Sequence, residues 1–370
     1  MKPGPRNLLL SPGPTNVHDD VRQALLGPDA CHREAGFTEV LRQLNEDLVA
    51  VLGGRGTHAC VPFAASGTGA NEAIMASLTG RVLVLVAGPY SERLVTMATR
   101  LGIDVVTLRF DPLSGIAVDG VEDALRRDDE VANVFAVHCE TTTGVMAPLT
   151  QLGTVCRRSG VVLAVDGISS VGAHPIDLER DGITFCSVSA NKCLESIPGL
   201  SFVLARVDRL HDTSRSYYLD LFGQWRSLEE SGQSRFTMPT QLVQAAAVAV
   251  RRLVAEGYGQ RVARYSRLRA RLVDGLVERG IRLVAIPPDR VSNLYVLVEQ
   301  PGGLSYAELH DGLLQHGITI YTDVPTQRRG HLALATMGAI GNDEIDRFLE
   351  ALSSVLDARS TPRLAASGRT

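Results

Sequence analysis

No apolar run in this chain approaches the ~18–20 residues that a membrane-crossing helix needs. The opening stretch, Met1 to Thr15, holds three leucines between prolines, which is too short for a signal peptide. A cytoplasmic protein with no membrane partner is therefore expected. Cysteine is sparse, with six residues, none in a C-x-x-C pair and none in a zinc-like cluster with histidine. That pattern argues against a zinc site or a disulfide framework and for buried free thiols in a reducing compartment, with no metal. One-sided charge is missing as well. Lys plus Arg total 37 and Asp plus Glu 41, a net charge of −4, so nothing points to a nucleic-acid partner. Internal repeats are absent. What is present, 45% hydrophobic and 21% charged residues with 35 Gly and 17 Pro, is ordinary globular composition. At 370 residues, one large domain and a smaller one are expected.

Short apolar runs alternate with longer amphipathic stretches. Strands are expected at Arg81–Val86, Asp104–Leu108, Val131–His138, Val161–Val165, Ile183–Ser187 and Leu200–Leu204, with helices at Tyr90–Leu101 and Val118–Arg127 between them. Near-continuous apolar strands separated by helices predict a mostly parallel sheet covered on both faces, a three-layer αβα domain. A long helix, Gln241–Glu256, leads to a smaller α/β set: helix Gln260–Glu278, strands Arg282–Val284 and Ser292–Val298, helix Ser305–His316, strands Thr319–Tyr321 and Leu332–Thr336, and helix Asn342–Leu356. The expected division is a large domain at 1–245 with an N-terminal arm, a small domain at 246–357, and a disordered tail at 358–370.

Ligands of such sheets bind at the carboxyl ends of the strands, and four segments there carry chemistry. Ala65–Ala73, ASGTGANEA, matches neither GxGxxG nor GxxxxGK[ST]. Its glycines and a following helix could nonetheless offer free amides to a phosphate, with Ser66 and Thr68 adding hydroxyls. Asp166 ends the run VVLAVD. His138–Gly144 reads HCETTTG. Lys192 follows the run TFCSV within SANKC, where a shielded amine could condense with an aldehyde. Each alone admits a plainer reading: a glycine-rich connection, a turn aspartate, a solvated lysine. Together they supply the phosphate cup, the anion and the lysine that pyridoxal 5'-phosphate requires.

In order along the chain stand LLLSPGPTNV (8–17), SGTGANEA (66–73), AGPYSER (87–93), HCETTTGVMAPL (138–149), VDGISSVG (165–172), SANKCLESIPG (189–199), RFTMPT (235–240) and MGAIG (337–341). By these the chain resembles the class V aminotransferases of the fold-type I pyridoxal phosphate enzymes, over about residues 8–356. SANKC and QWR…RFTMPT tilt it toward the branch that exchanges an amino group between 2-aminoethylphosphonate and pyruvate. The resemblance implies a fold-type I transferase whose substrates are a small amine, such as an aminophosphonate, and a 2-oxo acid. It makes Lys192 the cofactor-bearing lysine and proton carrier, and Asp166 the partner of the pyridine nitrogen. Ser66, Gly67 and Thr68 become phosphate ligands, with Ser189 or Asn191 completing that shell. Tyr90 becomes the aromatic stacked on the ring, and Thr141 the contact to its phenolic oxygen. Thr237 is then a phosphate ligand lent by a neighbouring subunit, which implies a homodimer with shared active sites.

The chain leaves the family pattern at one place. The arginine that clamps a substrate carboxylate stands just before a segment matching MGAIG, and here that position is Thr336. A neutral hydroxyl does not replace a bidentate charge-assisted pair. Arg328 and Arg329, upstream on the same segment, and Arg33, in a His-Arg pair resembling that of serine–glyoxylate enzymes, are candidates for a relocated clamp. Solvated loop charges are the alternative for each. The same departure leaves open a pyridoxal phosphate lyase or decarboxylase acting on an unusual amino acid.

Overall fold

The computed structural model describes residues 7–301 and 303–360. Seven strands form the main sheet, in the spatial order His58–Phe63, Ser201–Arg206, Phe185–Ser189, Val162–Asp166, Val131–Val137, Arg81–Val86, Val105–Arg109. Ser201–Arg206 runs antiparallel to both its neighbours, and the other six run the same way. Alternation within one strand explains the continuous apolar runs. Leu83 and Leu85 join the core that includes the helices Ala35–Val51, Val118–Arg127, Leu149–Ser159 and Thr240–Glu256. Val82, Val84 and Val86 join the core of the opposite face, with Gly67–Ser77 and Pro89–Arg100. Both faces are covered, so neither needs polar residues. The three-layer αβα expectation holds.

The expected elements appear, most with ends shifted by a residue or two and the strand expected from Ser292 starting at Tyr295, and several features differ. Strand His58–Phe63, not anticipated, closes one edge of the sheet. The strand expected at Arg282–Val284 is reduced to an isolated bridge, Leu283 to Val298. Leu8–Leu10, in the arm assigned by sequence to the large domain, pairs in parallel with Ile318–Ile320 near the other end of the chain. Leu8 and Leu10 are buried in the C-terminal core with Leu272, Ile320 and Phe348, because their apolar side chains complete a face that the small domain leaves open. The last helix runs Asn342–Ser360, so residues 358–360, expected in a disordered tail, continue it. Residues 361–370 of that expected tail lie outside the described residues. Of the cysteines, five are buried, and Cys31 departs from expectation by being exposed. No described helix is long and apolar enough to cross a membrane.

Candidate active site

Because the six co-directional strands end at one edge of the sheet, the segments that follow them meet there. They enclose a cavity of about 190 Å³ lined by Ser66, Gly67, Thr68, Tyr90, Thr141, Asp166, Ser189, Asn191 and Lys192, nine of the residues singled out by sequence. Asn71 and Arg93, which sequence reasoning passed over, line it too. Both lie in segments already noted for other residues. Asn71 falls four residues after Gly67 on helix Gly67–Ser77, and Arg93 three after Tyr90 on helix Pro89–Arg100, each on the face of its neighbour. Helix phase was the available signal.

Asp166, the last residue of its strand, is 4% exposed. Its Oδ2 accepts a 2.7 Å bond from Asn71 Nδ2 and its Oδ1 a 3.0 Å bond from the Ile168 amide. Asn71 is itself fixed by Ser187 Oγ, 2.6 Å from its Oδ1. Burial pushes the Asp166 carboxyl above its ordinary value, and those two hydrogen bonds with the more distant charges of Lys192 and Arg93 offset that only in part. A buried carboxylate without a cation beside it is costly. A protonated ring nitrogen would supply that cation.

Lys192 sits just past strand Phe185–Ser189, and burial lowers its pKa. Its Nζ donates to the Pro12 carbonyl. The Ser11–Thr15 segment lies directly on this side chain: a Cβ at Gly13 would come within 2.6 Å of Lys192 Cδ, and Gly13 has φ +103°. Only glycine fits there. The phosphate cup is the start of helix Gly67–Ser77. The Gly69 and Ala70 amides bond back to the Ser66 carbonyl, which leaves those of Gly67 and Thr68 at the cavity without an intrahelical acceptor. Ser189 Oγ donates to Asn191 Oδ1 at 2.6 Å on the opposite rim.

Tyr90 is held in place by Glu140 of the ETTTG segment. The buried Glu140 carboxylate accepts bonds from the Ser91 hydroxyl (2.7 Å), the Ser91 amide (3.0 Å) and the Tyr90 amide (3.4 Å), pinning the first turn of helix Pro89–Arg100. Burial raises the Glu140 pKa. Gly88 allows this approach, since a Cβ there would lie 2.7 Å from Glu140 Cδ. Behind this wall two buried histidines meet edge to face, His138 and His174, with ring centroids 5.8 Å apart. His138 bonds Ser170 Oγ at 2.9 Å, and burial lowers its pKa to about 3, so it is neutral.

A wider groove of about 690 Å³, between helices Tyr258–Glu278 and Asn342–Ser360, carries none of this chemistry, and its Arg271 is already paired with Asp346.

Residues 22–256 match the family described as Aminotransferase class-V. The chain is 35% identical to a 2-aminoethylphosphonate–pyruvate transaminase of Paraburkholderia phymatum, covering 96% of this chain and 98% of that one. It is 34% identical to one of Cupriavidus necator, over 94% of each. Among solved structures, the alanine–glyoxylate aminotransferase of Nostoc sp. superposes with a TM-score of 0.89 at 26% identity, over 96% of both chains. The chain belongs to the class-V aminotransferase family. It is thus a pyridoxal phosphate-dependent aminotransferase, and the cavity fits that cofactor: free amides for a phosphate, a buried carboxylate short of a cation, and a lysine whose amine is more readily neutral than usual.

The remaining sequence candidates lie outside this aminotransferase's cavity lining. Thr237 is exposed on the Arg235–Thr240 segment. Arg33 directs its guanidinium to the carbonyls of Ser234 (2.6 Å) and Arg235 (3.2 Å) and to Gln233 Oε1 (3.1 Å). Arg328 and Arg329 are exposed, and Arg329 bonds Thr326 Oγ1 at 3.3 Å. Thr336 is fully buried, its hydroxyl 3.3 Å from the Leu294 carbonyl. A second cavity of about 170 Å³ adjoins the first through shared Tyr90, Arg93 and Thr141, and residues 321–323 and Pro325 form its far wall.

Proposed function

We propose that this aminotransferase moves an amino group between 2-aminoethylphosphonate, or a related small aminophosphonate, and a 2-oxo acid such as pyruvate, with Lys192 carrying the cofactor. The observation that carries this reading is the convergence of Lys192, Asp166 and the Gly67–Thr68 amides on one cavity, together with the 2-aminoethylphosphonate transaminases among the chain's relatives.

When bound, pyridoxal phosphate supplies an electron sink for the pair left at the substrate's Cα. Lys192 Nζ is the amine that would hold the cofactor, and with its pKa lowered by burial it would serve as the base for the substrate's Cα proton. Asp166 keeps a proton on the ring nitrogen, and Asn71 holds the carboxylate in place. Tyr90, fixed by Glu140, and Thr141 would flank the cofactor's ring, and Ser66, Gly67, Thr68, Ser189 and Asn191 would hold its phosphate. Thr237 completes that shell in a second copy of the chain. Its exposure, and the anchoring of residues 234–235 by Arg33, support a homodimer with shared sites. Arg33 on this reading positions the Thr237 segment.

The test follows cofactor absorbance of the purified protein. Loss of the aldehyde band on adding 2-aminoethylphosphonate, reversed by pyruvate, is the expected result. Release of ammonia or carbon dioxide without that reversible change would instead select a lyase or decarboxylase, the reading that Thr336 keeps in play.

A further inference from the structure

With Thr336 at the family's arginine position, the substrate's negative end needs another cation. The three arginines suggested by sequence line neither cavity, and Arg33 already serves backbone carbonyls. One arginine lines both cavities. Arg93 lies with its guanidinium carbon 4.8 Å from the centre of the Tyr90 ring, a cation–π contact beside the cofactor cavity. Its hydrogen bond to protein is a long one, Nη1 to Thr68 Oγ1 at 3.3 Å, and among the described residues no carboxylate pairs with it. Asp323, the acid lining the second cavity, turns Oδ1 to the Thr326 amide at 3.1 Å, capping a short helix. Thr142 is a further residue of this cavity's lining. Thr142 is 5% exposed, and its Oγ1 has no hydrogen-bond partner. A buried hydroxyl without a partner costs stability unless a ligand completes it.

Resting on the aminotransferase reading above, we infer that the 170 Å³ cavity is the substrate's anion subsite. Arg93 is its clamp, gripping a phosphonate or carboxylate, and Thr142 Oγ1 donates a further hydrogen bond. The forked guanidinium suits both anions. The subsite opens beside Tyr90 and Thr141, so a short chain between anion and amine would place the amine in the cofactor cavity. Substrates of this kind are small, with one anionic terminus and an amine or ketone a few bonds away. Arg93 thus takes over, from a helix of the large domain, the task that the C-terminal segment has given up at Thr336.

The experiment uses ethylphosphonate, an anion with no amine to react, titrated calorimetrically into cofactor-loaded wild type, R93Q, R93K and T142V. The cofactor affinity of each apoprotein is measured in parallel. We expect R93Q to bind ethylphosphonate at least ~20-fold more weakly with cofactor affinity within about threefold of wild type. R93K should recover part of the loss, and T142V should weaken the anion a few-fold. Ethylphosphonate binding within twofold of wild type in R93Q would overturn the inference. So would a loss of cofactor affinity as large as the loss of anion affinity, since Arg93 would then belong to the phosphate cup. Failure of wild type to bind ethylphosphonate at millimolar concentration would do the same. Absence of reversible amine-dependent change in cofactor absorbance would defeat the proposed function separately, because ethylphosphonate binding is read without turnover.

Discussion

Two walls face each other across the joined cavities, and they are built on different principles. The sheet-side wall consists of segments that leave parallel strands, so each side chain is placed by hydrogen-bonded backbone, and the hydrogen bonds around Asp166, Asn71 and Glu140 fix what remains. The opposite wall, residues 321–323 and Pro325, is a loop and the first turn of a five-residue helix, Val324–Arg328, and Tyr321 and Val324 are exposed. The first wall gathers Lys192, Asp166 and the start of helix Gly67–Ser77 at one cavity. The second, at residues 321–323 and Pro325, carries no arginine or lysine. A rigid frame keeps chemistry that every reaction of this kind needs, while loop residues alter recognition without disturbing that frame.

The strongest break in this contrast is removal of the lysine. Lys192→Ala should abolish turnover and covalent cofactor retention, and borohydride reduction of the wild type followed by peptide mapping should place the label on Lys192. A label on another lysine would dissolve the sheet-side assignment.

The anchor of the lysine loop comes next. Glu195, three residues beyond Lys192, has φ +60°, the one non-glycine residue with positive φ among those described. Its buried carboxylate accepts from Arg264 (2.6 Å) and Tyr265 (2.6 Å), pairs with Arg261 (3.4 Å), and meets His18 at 3.1 Å, tying the lysine loop to helix Tyr258–Glu278 and to the arm. These partners hold its pKa at about 2 against burial, below the ordinary 4.5. A depressed carboxylate contributes stability fully above about 4.5, and that contribution is lost as pH falls toward 2. Glu195→Gln should cost about 3–5 kcal/mol at neutral pH, the class of effect seen when a buried pair loses one partner, and should flatten the acid limb. Urea titrations at several pH values measure both.

Asp166→Asn should leave a folded protein and slow proton removal by on the order of 10²–10³-fold, as for loss of a preorganised electrostatic partner. Rapid-mixing measurement of the first half-reaction reads this. The same variant sharpens the electrostatics. The Asp166 charge raises the Lys192 pKa and the Arg93 charge lowers it. In apoprotein, therefore, D166N should move the Lys192 titration to lower pH and R93Q to higher pH, as followed by the pH dependence of lysine labelling.

Asn71→Ala removes one hydrogen bond to Asp166 and leaves the Ser187 hydroxyl unpaired. A loss of roughly tenfold in rate or cofactor affinity is expected, about 1–2 kcal/mol. The smallest effect is expected behind the walls, at a buried residue that lines neither cavity. Thr336→Val deletes a 3.3 Å bond to the Leu294 carbonyl and should cost under about 1 kcal/mol of stability, with pyruvate affinity within twofold of wild type. A large change in pyruvate affinity would mean that Thr336 touches substrate.

Much of the sheet-side wall was legible because its residues stand directly after apolar runs. VVLAVD, TFCSV with SANKC, and VANVFAV with HCETTTG each join a strand to a chemical group at a fixed offset, and a parallel sheet brings such offsets to one edge. Asn71 and Arg93 were not legible, because a helical residue faces a cavity only if the helix docks in the right rotation. That the arginine candidates line neither cavity has a related reason. Arg33, Arg328 and Arg329 are near the site's segments in sequence, but the direction of each side chain is set by contacts made after folding, such as those of Arg33 with Ser234 and Arg235.

The sequence by itself determined the layered α/β architecture, the strand ends that carry Asp166 and Lys192, and the absence of an arginine at 336. These depend on local periodicity and residue type, and both are written along the chain. The tertiary structure alone decided that Leu8–Leu10 would complete the C-terminal core, that Glu195 would gather donors from the arm and from helix Tyr258–Glu278, and that Arg93 would stand between two cavities. Each of those joins residues distant in sequence, and only the simultaneous packing of whole elements fixes which of them meet.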